Sequence, residues 1–305
     1  MALFLAYDPG YTLNFSEHVF PVRKYELIAA ELIKRGVVGE RDFLKPDPAT
    51  DEQLLLAHTP EFLERLRRYA GTNPMAALHE LEAPCYPETL VAKRFMTGGS
   101  ILVTEKAIEA KGCGVNIGGG FHHAEADRGG GFCFLNDIVI SIRVAQKKGF
   151  IRRALVIDTD VHQGNGTASI VLDDTTIRLL DIHQRDNYPT KVPAELNIGL
   201  EDGCGDREYI EGLKAGIEKV IGEHGPFDLI HYVAGADPWK DDKLGGLKLS
   251  MDGFRARDRL LIVTAKKLSV PLIVTLAGGY AQRTADTVNI HAQMVEEMIA
   301  VYGKK

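Results

Sequence analysis

The chain has 305 residues, 45% of them hydrophobic and 26% charged, with a formal net charge of -6 at pH 7. That is a globular composition with length for a large core, and its mild acidic excess speaks against a nucleic-acid-binding surface, which needs a basic patch. The apolar N-terminal run is too short for a signal peptide or a membrane span. Cys85, Cys113, Cys133 and Cys204 form no C-x-x-C pair and read as reduced thiols of a cytosolic protein rather than a disulfide framework. No basic nuclear-targeting run is present, so the cytoplasm is the expected location.

In chain order, Leu3 to Ala6 reads as a first strand, ended by the turn cluster Tyr7-Asp8-Pro9-Gly10. Arg23 to Lys34 reads as a helix closed at Gly36. Thr50 opens a second helical stretch, and Thr59 caps a third, with Pro60 in its first turn, that runs to about Tyr69. Residues 71 to 87 carry Pro74, Pro84 and Pro87 and read as a long loop, a candidate rim over a site. Glu88 to Ala110 is helical with an interruption at Gly98-Gly99.

Gly112 to Ile117 is a strand that runs into Gly118-Gly119-Gly120-Phe121-His122-His123, and a helix follows from Asn136-Asp137 to about Lys148. Ala154 to Ile157 is a short β-branched run, as expected for a strand buried on both faces, followed by a helix to about Leu172. Thr176 to Leu180 is a strand, and residues 184 to 204 read as a polar loop with Tyr188-Pro189. Then come a helix over Asp206 to Glu223, a strand over Phe227 to Val233, and a loop with Trp239. A helix over Asp252 to Lys267, a strand over Pro271 to Thr275 and a helix to about Tyr302 complete the chain. Strands alternating with helices predict a mostly parallel sheet covered on both faces, in a single domain over residues 1–305.

The unusual polar residues gather at the C-terminal ends of these strands, where open α/β sheets bind ligands. Asp158, Asp160 and His162 alternate after the Ala154 strand, and residues two apart on an extended chain point the same way. Asp160 and His162, with Asp237 from another strand end, supply three ligands, and a catalytic metal site wants three plus an open position. His122 and His123 stand as acid–base groups, Tyr280 as a donor to an oxyanion, and Asp158 as an orienting partner for a histidine. Each has a bland alternative as a capped strand end, a solvated pair or a packed rim residue. Convergence of separate segments on one crevice favours chemistry. His18, His58, His79, His183, His224, His231 and His291 lack motif support and read as structural or surface residues.

Taken together, Gly-Gly-Gly-Phe-His-His (118–123), Gly-Gly-Phe-Cys-Phe-Leu-Asn-Asp (130–137), Ile-Asp-Thr-Asp-Val-His-Gln-Gly-Asn-Gly (157–166), Gly-Ala-Asp-Pro (235–238), Asp-Lys-Leu-Gly (242–245) and Ala-Gly-Gly-Tyr (277–280) resemble the zinc-dependent histone deacetylase superfamily. His58-Thr-Pro-Glu-Phe-Leu extends the resemblance towards the N-terminus. It implies a three-layer α/β/α arginase-like fold and a hydrolase that removes acetyl or longer fatty acyl groups from the ε-amine of lysine. Acetylated polyamines are the alternative substrate. It implies one catalytic zinc on Asp160, His162 and Asp237, with iron(II) or cobalt also suited to so oxygen-rich a site.

The resemblance further implies a catalytic set of His122, His123, Tyr280, Asp158 and Asn165, with His123 as general base and acid and His122 as its electrostatic partner. Phe132 becomes a wall of the acyl-lysine channel and Gly131 the residue whose carbonyl meets the substrate amide. A structural potassium falls near Asp158, Asp181 and Ile182. Asn165 stands where class I enzymes have an aspartate, as in classes II and IV, and a neutral partner raises the pKa of His123 less than a carboxylate would. The Pro84 to Pro87 loop stands where class I enzymes carry an acidic rim residue. An arginase-like enzyme with two manganese ions needs further bridging carboxylates, and a non-catalytic acyl-lysine-binding module predicts damage among these residues, of which none is missing.

Overall fold

The computed structural model describes residues 2–13, 15 and 18–303. Among them eight strands form one sheet: β1 (Leu3–Ala6), β2 (Phe43–Leu44), β3 (Cys113–Asn116), β4 (Ala154–Asp158), β5 (Ile177–Gln184), β6 (Leu196–Leu200), β7 (Leu229–Val233) and β8 (Leu272–Thr275). Their order is β2-β1-β3-β8-β7-β4-β5-β6, and every pairing between them is parallel. The central strands β3, β4, β7 and β8 are buried at every position, which is why their sequences show no polar–apolar alternation.

Helices cover both faces, giving the three-layer α/β/α arrangement. On one side Pro87–Ala110 packs against Asp137–Lys147, with Asn165–Val171 beside it. On the other, Lys24–Lys34, Thr284–Tyr302, Met251–Leu268 and Asp206–His224 pack in succession. No helix among the described residues is long and apolar enough to cross a membrane.

The chain visits β3 and β4 in turn, yet β8 and β7 lie between them in the sheet. The four strand ends that carry the polar motifs are therefore adjacent, each about 4.8 Å from the next. Opposite Asp158 lie Val233 on one side and Asp181 on the other. This register brings motifs from four distant parts of the chain to one crevice.

Several local expectations are corrected. Pro87–Ala110 runs through Gly98-Gly99 without a break. A Cβ on Gly98 would lie 1.8 Å from the Asp47 carbonyl oxygen, and one on Gly99 would lie 1.9 Å from the Tyr11 hydroxyl. These glycines admit close neighbours to a helix rather than end it. Residues 71 to 87 are not one open loop, since they contain a 3-10 turn (Pro74–Ala77) and a short helix (Leu78–Leu81). The polar stretch 184 to 204 contains edge strand β6, whose Leu-Asn-Ile-Gly-Leu alternates between half-buried and exposed positions before ending on a buried leucine. The two-residue strand β2 was also missed, being too short to carry a pattern. Thr59 caps its helix as expected, accepting from the Phe62 amide at 3.2 Å.

Candidate active site

β4 ends on Asp158, and the chain beyond it turns Asp160 and His162 into the crevice, where Asp237 arrives from the loop after β7. Asp160, His162 and Asp237 are all buried, with one potential ligand atom from each lying within 4.8 Å of the others. Asp160 Oδ2 accepts from the Gly278 amide at 2.8 Å, and Oδ1 faces His162 Nδ1 at 3.0 Å. Asp237 Oδ1 accepts from the Val161 amide at 2.8 Å, but Oδ2 is buried without a hydrogen-bond partner. Buried carboxylate oxygens are rarely left so, and this one, 3.4 Å from His162 Nδ1, is placed to meet a cation.

The surrounding backbone leaves no room for side chains. A Cβ on Gly278 would lie 2.0 Å from Asp237 Oδ2 and 2.6 Å from Asp160 Oδ2, and one on Gly235 would lie 2.6 Å from Asp160 Oδ2. Electrostatics makes the same demand for positive charge. Burial, and then the neighbouring Asp160 charge, push the Asp237 carboxyl up to about 7. Against the pull of burial, Asp160 and Asp237 raise the His162 imidazole to about 10, the response of a basic group to two buried carboxylates. An oxygen-rich set with one imidazole, three ligands and a deficit of positive charge fits a divalent metal ion.

The two adjacent histidines are prepared differently. His122 Nδ1 donates to Asp158 Oδ2 at 2.8 Å. Burial lowers its pKa, but the Asp158 and Asp160 charges prevail and raise it to about 9, so His122 is a cation at neutral pH. His123 pairs through Nδ1 with the neutral Asn165 Oδ1 at 2.7 Å. Burial, followed by the His122 and His162 charges, pushes it well below the usual histidine range. One charged ring and one neutral ring thus lie with centroids 4.0 Å apart.

Tyr280 follows β8 and two glycines. Its amide donates to Asp242 Oδ2 at 2.7 Å, and its ring meets Phe20 and Phe132 edge-on at 6.1 Å each. Burial, then the Asp237 and Asp160 charges, hold its phenol well above the usual range, so it keeps its proton. Gly131 has φ +49°, and a Cβ there would lie 2.3 Å from the His123 ring.

Phe132, His123, His162 and Tyr280 line both an inner cavity of about 20 Å³ and an outer vestibule of about 210 Å³. Phe20 and Tyr25 help close the inner end, while Val19, Glu82, Asn187 and Tyr188 open the outer one.

Tyr188 and Glu82 were not singled out from sequence. Tyr188 lies edge-on to His123 at 5.2 Å and donates through its hydroxyl to Glu82 Oε1 at 2.8 Å. Glu82, two residues before Pro84, thus places a carboxylate at the rim where the proline loop alone was expected. Position after β5 was the available signal for Tyr188, since β5 ends at the same edge of the sheet; Glu82 had none. His18 backs this rim, with its ring 4.7 Å from Phe132 and Nε2 3.0 Å from the Glu82 carbonyl oxygen. His58 is structural as expected, tying Glu125 to Asn136 through its two ring nitrogens.

Comparison with known proteins agrees with this geometry. A family model described as "Histone deacetylase domain" matches residues 18–296. An uncharacterized protein of Picosynechococcus sp. is 33% identical over 300 residues, covering 98% of this chain and 99% of that one. Histone deacetylase 2 of Arabidopsis thaliana is 32% identical over 297 residues, covering 92% of this chain and 75% of its own. The crystal structure of the HDA15 HD domain superposes with a TM-score of 0.82 over 98% of this chain and 92% of that one, at 19% identity, which speaks to the fold. With its Asp–His–Asp metal triad at the centre of that fold, the chain belongs to the histone deacetylase family and is a metal-dependent amide hydrolase.

Proposed function

We propose that the protein removes acetyl groups from the ε-amine of lysine. The observation that carries this reading is the convergence of Asp160, His162 and Asp237 beneath a vestibule bounded by His123, Phe132 and Tyr280. Zinc is the metal we assign, iron(II) and cobalt being other ions that this donor set suits. The chemistry a divalent metal supplies there is Lewis acidity, towards the acyl carbonyl oxygen and a water.

The protein's own groups do the rest. The neutral His123 takes a proton from the attacking water and delivers it to the leaving amine as the C–N bond breaks, so acetate and the free lysine amine result. The protonated His122 steadies the negative charge that develops alongside. The Tyr280 phenol donates a hydrogen bond to the developing oxyanion. Phe132 and Tyr188 flank the lysine stem in the vestibule, and the Gly131 carbonyl accepts from the substrate amide. Asp158 and Asn165 position the two histidines.

The inner cavity bears on acyl length. At about 20 Å³, and lined by Phe20, Tyr25 and Cys133 as well as by Asp160 and His162, the inner end is narrow, which favours a short acyl group such as acetyl. On peptides carrying acetyl-, octanoyl- or myristoyl-lysine, acyl release measured chromatographically is expected to favour acetyl. A preference for myristoyl overturns this assignment. The Glu82 carboxylate at the rim favours a second reading, an acetylated polyamine whose remote ammonium it meets, and acetylspermidine belongs in the same series. Faster turnover of acetylspermidine than of every peptide would select that reading.

The potassium ion that the family resemblance implies would lie beside Asp158, Asp181 and Ile182, where two buried aspartates stand in register on adjacent strands. The cytoplasm is supported by four free, buried cysteines, which suit a reducing compartment.

A further inference from the structure

We propose that Glu125 fixes the tautomer of His123 through the side-chain amide of Asn165. Glu125 is thereby a positioning residue for the base, an inference that rests on the proposed role of His123. The amide of Asn165 bridges the two. Its Nδ2 donates to Glu125 Oε1 at 3.2 Å, while its Oδ1 lies 2.7 Å from His123 Nδ1. A carboxylate only accepts, so it can be satisfied only by the NH2 end of the amide. That leaves the oxygen end for His123, which must then carry its proton on Nδ1. The Nε2 lone pair is left available to take a proton.

Turning the amide over reverses the outcome. The NH2 group would face His123 Nδ1 and require a lone pair there, the ring proton would move to Nε2, and the base would be lost on that side. An aspartate at position 165 has no such choice, because both of its oxygens accept. A chain with asparagine at this position needs a third residue to break the symmetry, and Glu125 supplies it. Its placement is itself secured. The Glu125 carboxylate also accepts from Arg128 Nη2 at 2.7 Å, and its amide donates to the Arg128 carbonyl at 2.8 Å. Its carbonyl oxygen accepts from the buried His58 Nδ1 at 2.9 Å. His58 is locked in turn, because its Nε2 accepts from the Asn136 amide at 2.8 Å.

The test compares the metal-loaded full chain with E125A, N165D and the E125A/N165D double variant, and includes H123A and R128A as controls. Two readouts are taken: kcat and KM on an acetyl-lysine peptide, and the 15N spectrum of the His123 ring. E125A is expected to lower kcat by roughly 10–100-fold, with KM little changed, and to shift the ring from the Nδ1–H form to a mixture of tautomers. In the N165D background the same substitution is expected to lose most of that penalty. R128A, which keeps the carboxylate, is expected to keep the wild-type tautomer.

An equal loss in both backgrounds with an unshifted ring spectrum overturns the inference and leaves Glu125 a purely structural residue. Should H123A retain turnover, the role of His123 as base fails instead, and the 15N spectra still decide whether Glu125 sets its tautomer. If E125A does not fold, E125Q is read the same way, since a side-chain amide no longer forces the Asn165 NH2 group towards itself.

Discussion

Replacing Tyr280 with phenylalanine is expected to lower kcat on an acetyl-lysine peptide by about 10²–10³-fold, the usual cost of losing one oxyanion donor. The phenol keeps its proton because burial and the Asp237 and Asp160 charges oppose ionisation, so it is a donor throughout the neutral range. Phenylalanine retains the ring that packs against Phe20 and Phe132, and the Asp242 contact is made by the backbone amide, so the fold has little reason to change. The metal is assigned to Asp160, His162 and Asp237, so metal content measured by elemental analysis is expected to stay at the wild-type level. Because the hydrogen bond matters most as charge develops on the oxygen, KM is expected to move far less than kcat. Unchanged turnover removes Tyr280 from the mechanism.

The second large effect belongs to Asp237. Asp237→Asn is expected to weaken metal binding by more than the roughly 10–100-fold that loss of an outer partner costs, and to reduce turnover with it. The sign of its effect on the metal-free protein is opposite. There Asp237 is a buried carboxylate that burial and the Asp160 charge make costly to ionise, with Oδ2 3.4 Å from His162 Nδ1 as its one side-chain partner. A neutral isostere relieves that repulsion, so the melting temperature of the stripped variant is expected to rise above that of the stripped wild type. Titration with zinc, followed by calorimetry, reads the affinity, and thermal melting of stripped protein reads the stability. A variant that binds zinc like the wild type shows that Asp237 is not a ligand.

Much of the scaffold was legible because its signals are local. Strands β3, β4, β7 and β8 are short, mainly apolar runs that lead into glycine- or aspartate-bearing turns, and burial on both faces leaves them no alternation to confuse. Their ends carried Asp160, His162, Asp237, His122, His123 and Tyr280, and the parallel sheet did the gathering. What stayed hidden depends on tertiary neighbours. Gly98 and Gly99 looked like a helix break, and only the Asp47 carbonyl and the Tyr11 hydroxyl pressed against them explain why the helix continues. Glu82 and Tyr188 lie 106 residues apart and meet over the vestibule through a contact that no periodicity records. Glu125 sits two residues beyond His123, yet its part in the site depends on which way a single amide at Asn165 is turned.

Acetate release from an acetyl-lysine peptide bears most directly on the claim that a metal held by Asp160, His162 and Asp237 enables the hydrolysis. It is measured on the protein as purified, after stripping with a chelator, and after zinc is restored. Release is expected to fall to background on stripping and to return with about one equivalent of zinc per chain, the number that three ligands and an open position accommodate. Release that persists in protein shown by elemental analysis to be free of metal contradicts it.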